Sequence, residues 1–498
     1  AERSNGDQCR KLSEETMCEK KLLPPRSVCK AATSEHLGCP RRNDPTENLI
    51  RLYERWGAGG FDLVITGNVM VDRKALEAPR NVVIDGDTDG ALLRAWASAT
   101  KCGGAVALVQ LSHPGRQSPL AASWARPSAP TDRGLRLSGV GVQLFHRSPR
   151  AVVATGPIVS HFRQAAKRAV DAGWDGVQVH AAHGYFLSQW LSDEGPQRRR
   201  RRRAQLLLDV VAAVKVDPSV VVAVKLNVSD FSDFSFLEND DEKGENTPPP
   251  GGGGGVDDQG ECLRLLEVLE DHGVADIVEL SEGGTYATGM RCLGDARDFV
   301  PRGARAAGLF EEERGNHNVD AAASGALQVY ERFIDGGRKR RLRIIVTGDV
   351  DRREKAAALH DLHPDLVVGV ARAACVDPNV ARRWRRHDQD EDPTERIAPP
   401  PFFRRATDRL PASFRRLFIP GLRFGWYQRQ LWRLSVGRQS DPTQGHAAYL
   451  LFVLPRALLF EPARLFAAPH TRRTSLIAWV AVLSCFFTLT SRQLSTKK

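Results

Sequence analysis

Two imidazoles and a phenol, His180, His183 and Tyr185, fall within six residues of one another in the stretch 175–190, DGVQVHAAHGYFLSQW. Histidines three apart, with a phenol two further on, can hold a carbonyl or phenolate oxygen between two N–H donors while a hydroxyl stands by to give a proton. Taken alone, HxxH has plainer readings: histidines that satisfy strand-end carbonyls, or half of a metal site. The residues before it favour chemistry. Phe162, Ala165, Ala166, Ala169 and Val170 recur at helical spacing over 162–172, and Gly173 can end that helix. GVQVH (176–180) then reads as a short buried parallel strand that stops at the polar cluster. In a (β/α)8 barrel the carboxyl end of a strand is where catalytic groups gather.

The same unit recurs along the chain. Strands are expected at 27–32 (SVCKAA), 61–66 (FDLVIT), 105–111 (AVALVQL), 176–180, 220–226 (VVVAVKL), 275–280 (ADIVEL), 343–347 (RIIVT) and 366–370 (LVVGV). Helical patterns lie at 47–56, 90–100, 204–215, 261–272, 322–333 and 353–360. Strictly alternating strands and helices require parallel pairing through right-handed crossovers, and eight units favour a closed α/β TIM barrel over an open sheet. The first strand is not followed by the GxGxxG turn that an open dinucleotide-binding sheet would carry. The barrel should span about 22–386, after a polar segment at 1–21 with no apolar signal-peptide core.

Other segments depart from this rhythm. Residues 239–255, with three prolines and five glycines in a row, read as a low-complexity surface insertion. Residues 387–425 read as a linker, and 426–498 as a mostly helical C-terminal extension that opens with a helix at 426–434. Within it, 474–491 is 18 residues without a charge, flanked by Arg472-Arg473 and Arg492. A membrane span needs about 20 apolar residues, so this stretch reads either as membrane attachment or as a buried helix.

Nine cysteines are scattered with no CxxC pair, which argues against a zinc or iron–sulfur site and for free thiols in a reducing, cytoplasmic setting. No metal is expected. The net charge of +11 suggests attraction to phosphates or acidic surfaces, but much of it sits in local runs at 198–203, 338–343 and 382–386. These lack interleaved aromatic residues, so specific nucleic-acid binding is not expected.

HAAHGYFLSQWLS after AGWDGVQV resembles the substrate-site segment of the old yellow enzyme family, the FMN-dependent NADH:flavin oxidoreductases. The resemblance covers roughly 22–378 through several motifs in order, most closely to the long-chain microbial and fungal members. It implies FMN as cofactor, NAD(P)H as reductant, and the following contacts. Ala32, Thr33 and Ser34 would run beside the flavin from the first strand, Thr33 standing where relatives often have Met, and Gly67 of ITGNVMVD would lie against it. Gln110 of LVQLSHPGRQ would bond the pyrimidine edge, and Lys225 of VKLN would sit beside N1 and O2, where a cation stabilises the anionic reduced form. Gly348 and Asp349 of VTGDV, with Gly369 and Arg372 of GVAR, would grip the phosphate. Ala371 replaces a usual glycine there.

Two features depart from the family pattern: a segment after Ser192 cut to Asp193-Glu194-Gly195-Pro196-Gln197 and arginines, and the insertion at 239–255 together with an extra Glu282. The function implied is reduction of an alkene conjugated to a carbonyl, or of a quinone. His180 and His183 would hold the oxygen and Tyr185 would give the proton. The alternatives are a degenerate FMN binder with little turnover and a flavin barrel acting on RNA. An RNA-modifying barrel would carry catalytic Cys and Lys motifs that are not apparent here, and a metal hydrolase barrel an HxH on its first strand that is absent.

Overall fold

The computed structural model describes residues 23–132, 148–192, 200–228, 258–281, 324–335, 340–348, 350–386 and 426–441. The chain divides into two compact units, Ala1–Thr443 and Gln444–Lys498, and every described residue belongs to the first. The insertion at 239–255, the shortened segment after Ser192, Glu282, Asp349, the linker and the charge-free stretch 474–491 lie outside the described residues. Among the described residues no helix is long and apolar enough to cross a membrane.

Eight strands close a parallel barrel in chain order. They are β1 (Val28–Lys30), β2 (Leu63–Met70), β3 (Val106–Ser112), β4 (Gly176–Ala181), β5 (Val221–Asn227), β6 (Ile277–Ser281), β7 (Arg343–Thr347) and β8 (Val367–Val370). Around them run α1 (Glu47–Gly57), α2 (Gly90–Thr100), α3 (Gly156–Asp171), α4 (Phe186–Leu191), α5 (Arg200–Val214), α6 (Asp258–His272), α7 (Ser324–Ile334) and α8 (Arg353–Leu362), with shorter helices between and after. Each expected strand is present. β2 continues to Met70 rather than ending at Thr66, because a register shift against β3 between Ile65 and Asn68 absorbs Thr66 and Gly67. α3 begins at Gly156, before the apolar face that reveals it, with a proline in its first turn where no amide is needed.

Alternation along the strands makes two cores. Outward residues such as Val64, Val109, Val177, Val222 and Val346 pack against Leu49, Trp56, Trp96 and Phe162 of the helices. Inward ones, Cys29, Leu63, Ile65, Leu108, Ala223, Ile277, Ile345 and Val367, fill the lower barrel. Further up, the inward positions turn polar: Gln110, Gln178, His180, Lys225, Glu279 and Ser281, all buried. The chemistry is confined to the carboxyl mouth by that change of residue type within β3, β4, β5 and β6.

The opposite rim carries a repeated device. Asp62, Asp175 and Asp276, each just before an even-numbered strand, accept the amides of Val28, Ala107 and Val222 on the preceding strand, at 2.8, 3.0 and 2.8 Å. Each also meets a cation, Arg385, Lys101 and Lys215 respectively. Before β8, Asp365 pairs with Arg343 of β7 at 3.4 Å. The four sites share a sequence pattern, FDLV, WDGV, ADIV and PDLV.

The basic runs are partly structural. Arg341 reaches the carbonyl of Ala275 (2.6 Å) and those of Leu269 and Glu270 near the end of α6, and Arg385 reaches that of Gly60 at 2.7 Å. The helix at 426–435 is held to α1 by Arg51 on the Ser435 carbonyl (3.1 Å), and Gln428 donates to the Ser34 carbonyl at 2.6 Å. Among the described residues, Cys29, Cys39, Cys102, Cys262 and Cys375 form no disulfide.

Candidate active site

His180 is the last inward residue of β4 and faces Lys225 in register on β5. His183 follows in the loop at φ 61°, with Gly184 at 67°. Two left-handed residues in succession turn the chain back, so the imidazoles meet edge to face at 5.3 Å between centroids, and Tyr185 lies 4.7 Å from His180. A non-glycine residue at such a φ is held by its surroundings, a form of strain that concentrates at functional sites.

Those surroundings are the SHPGRQ loop after β3. Gln117 gives its amide to the carbonyls of His183 (2.9 Å) and Gly184 (2.5 Å), Gln189 of α4 gives a second amide to Gly184 (2.7 Å), and the Ser188 hydroxyl accepts the Gly184 N–H at 3.1 Å. The Phe186 amide bonds the His113 carbonyl at 2.9 Å, with the two rings edge to face. Gly115, at φ 61°, leaves the space that Gln189 fills.

Both site histidines are neutral. Burial, then His183, then Lys225 hold His180 well below its ordinary pKa, and burial followed by Lys225 brings His183 down to about 3. His180 Nδ1 accepts the Ala182 amide at 3.3 Å, which leaves the proton on Nε2 as a donor. His183 Nε2 lies 3.1 Å from the Ser281 hydroxyl. If Ser281 donates there, His183 offers Nδ1–H as the second donor. The Tyr185 hydroxyl donates to Glu77 at 2.5 Å; Glu77 in turn accepts the Asn68 amide, and Asn68 accepts the Ser34 hydroxyl at 3.1 Å.

Across the barrel interior runs a buried polar chain. Gln110 donates to Gln178, Gln178 to Glu279, and Lys225 to the other Glu279 oxygen, each at 2.7 Å. Gln110 and Gln178 are opposite in register, as are Lys225 and Glu279, and Ala223 beside Gln178 is small enough to let the amide reach past it. Glu279 is wholly buried. Two buried hydroxyls at strand ends, those of Ser112 on β3 and Thr347 on β7, have no hydrogen-bond partner among the described residues. Donors, acceptors and a cation at one mouth, with polar atoms left unpaired, fit a flat heteroaromatic cofactor with a polar edge.

The remaining expected contacts are placed as follows. Ala32, Thr33 and Ser34 are half-buried where β1 ends, and Gly348 stands at the end of β7. Ala371 has φ −111°, so its side chain is accommodated, and Arg372 opens a five-residue helix after β8. At Gly67 a side chain would strike Glu35 and the Thr33 carbonyl, and at Gly369 it would strike the Thr347 hydroxyl, so both glycines serve the packing of adjacent strands. Glu77, Gln178, Glu279, Ser281 and Gln117 are site residues that sequence reasoning missed. Glu279 left a signal, a lone carboxylate inside ADIVELS; Glu77 left none, lying 108 residues from Tyr185.

Eight parallel strands with acid–base groups gathered at their carboxyl ends define a barrel enzyme. The sequence model of the NADH:flavin oxidoreductase / NADH oxidase family matches residues 26–236. The NADH-dependent flavin oxidoreductase iliE of Hypocrea jecorina is 30% identical over 383 residues, covering 72% of this chain and 84% of that protein. The nadA flavin oxidoreductase of Aspergillus parasiticus is 32% identical over 261 residues, 49% of this chain and 53% of its own. Among solved structures, morphinone reductase superposes with a TM-score of 0.51 at 20% identity, covering 72% of this chain and 86% of that one. The old yellow enzyme homologue of Zymomonas mobilis gives 0.52 at 17%, over 74% and 93%. The chain belongs to the NADH:flavin oxidoreductase / NADH oxidase family, the old yellow enzymes. It is an FMN-dependent oxidoreductase that draws on NAD(P)H.

Proposed function

We propose that this enzyme reduces alkenes conjugated to a carbonyl, and that a quinone can take the electrons instead. Bound FMN supplies hydride at its N5. The chain's own residues bind the oxygen and handle the proton. His180, through Nε2–H, and His183 take the substrate carbonyl oxygen and stabilise it as it becomes enolate-like. Neutral donors suit this role because their charge does not change across the physiological range. Tyr185 protonates the α-carbon, turning its hydroxyl away from Glu77 to do so. Gln110 and Lys225 meet the pyrimidine side of the cofactor, Ala32, Thr33, Ser34 and Gly67 its flank, and Gly348, Asp349, Gly369 and Arg372 its phosphate.

The observation that carries this reading is the convergence of two neutral imidazoles and one phenol, with ring centroids 5.3 and 4.7 Å apart, beside the buried Lys225. The test separates the two half-reactions of the FMN-loaded protein. In Tyr185→Phe, NADH should bleach the flavin at close to the normal rate and benzoquinone should restore it. Reduction of 2-cyclohexen-1-one should slow by roughly 10² to 10⁴, the usual worth of a positioned acid. An unchanged enone rate would remove the phenol from the mechanism.

A further inference from the structure

We infer that Glu279 tunes the cofactor site from behind: it cancels much of the Lys225 charge, holds the flavin's reduction potential down, and fixes which atom Gln110 presents. This rests on the proposed placement of Lys225 and Gln110 against the flavin.

The geometry gives the argument a direction. A carboxylate paired with an ammonium can only accept, so Gln178 must turn its NH2 toward Glu279 and its carbonyl toward Gln110. Gln110 must then give its own NH2 to Gln178, which leaves its carbonyl oxygen facing away from the chain of amides. One buried charge thus orders two amides on neighbouring strands. The oxygen presented is an acceptor, suited to a ring N–H such as that on the flavin's pyrimidine edge. At the other end, Lys225 and Glu279 are 2.7 Å apart at 4% and zero exposure, in an interior where solvent screens little. A cation beside a cofactor that gains negative charge on reduction raises its potential, and a carboxylate behind that cation takes part of the gain away. Glu279 touches the Lys225 ammonium and the Gln178 amide, so it acts as a positioning residue.

The experiment measures the midpoint potential of the FMN-loaded full chain by reductive titration against a reference dye. Glu279→Gln keeps size and hydrogen bonding but removes the charge. It should raise the potential by at least a tenfold shift in the two-electron equilibrium, about 30 mV. Because a glutamine at 279 can donate as well as accept, the order of the amides is released, and FMN dissociation followed by flavin fluorescence should become several-fold easier. Lys225→Met should lower the potential. If neither substitution moves it, Lys225 is not beside the flavin and the proposed placement fails. If Lys225→Met lowers it and Glu279→Gln leaves it unchanged or lowers it, the placement stands and the tuning by Glu279 is overturned. Should a single variant fail to fold, Lys225→Met/Glu279→Gln removes both charges of the pair and decides the matter. A potential within a tenfold equilibrium shift of the parent supports cancellation, and a larger drop overturns it.

Discussion

His183 sits at a backbone angle that favours glycine and beside a second histidine, yet neither imidazole carries a charge in the folded barrel. In the unfolded chain histidines take protons near pH 6.5. Burial, offset in part by Asp72, brings His113 to about 4, His183 falls to about 3, and His180 lies well below its ordinary value. Through the interval below 6.5 the unfolded chain binds more protons than the folded one, so stability is complete above that pH and drains away as pH falls. Thermal midpoints followed from about pH 7 down to about pH 4 should decline, and less steeply in His180→Asn. Equal slopes would mean that His180 takes its proton while folded. At this scale the sequence was informative where residue type and position coincide, as at His180, His183 and Tyr185. It was silent on Glu77, whose partners come from elements far apart in the chain.

Elements set the histidine loop in place through side chains that bond backbone. The HPGRQ motif follows Gln110 in the sequence, but its own work is to grip the loop after β4, with Gln117 on two consecutive carbonyls. Such a bond cannot be inferred from hydrophobic period, which is why the strands were legible and the clamp was not. Gln117→Leu fills the space but leaves both carbonyls without this amide, at a cost of about 1–3 kcal/mol. It should also weaken binding of a para-substituted phenol while FMN stays bound. Titration of the long-wavelength band of a phenol stacked on the flavin would show it; unchanged phenol affinity would mean that the loop holds its shape without Gln117. β2 shows the converse limit. The strand expected at 61–66 stops short of Gly67, but β2 runs through it, because the bulge lets β3 keep pairing.

At the scale of the whole molecule, the mouth and the opposite rim are built to different rules. The mouth mixes residue types strand by strand, and the rim repeats one residue four times. FDLV, WDGV, ADIV and PDLV all stand at or near strand starts in the sequence, but each aspartate there looks like an ordinary polar residue at a strand's edge. Its meaning lies in pairing: each one joins an odd strand to the even strand after it, β1 to β2, β3 to β4, β5 to β6 and β7 to β8. The seams are therefore not equivalent. A break in the chain between Ser192 and Arg200 parts β4 from β5 and leaves every such link within one fragment, whereas a break at 133–147 separates Asp175 from the Ala107 amide it holds. Two halves co-expressed from the first break should reassemble into a yellow, FMN-binding complex, and halves from the second should do so poorly. Equal recovery from both would show that the aspartates do not mark the joints. If the seams do differ, the barrel is a quartet of strand pairs, and the places where an ancestral chain could have been doubled, or a modern one divided, are written along its quieter rim.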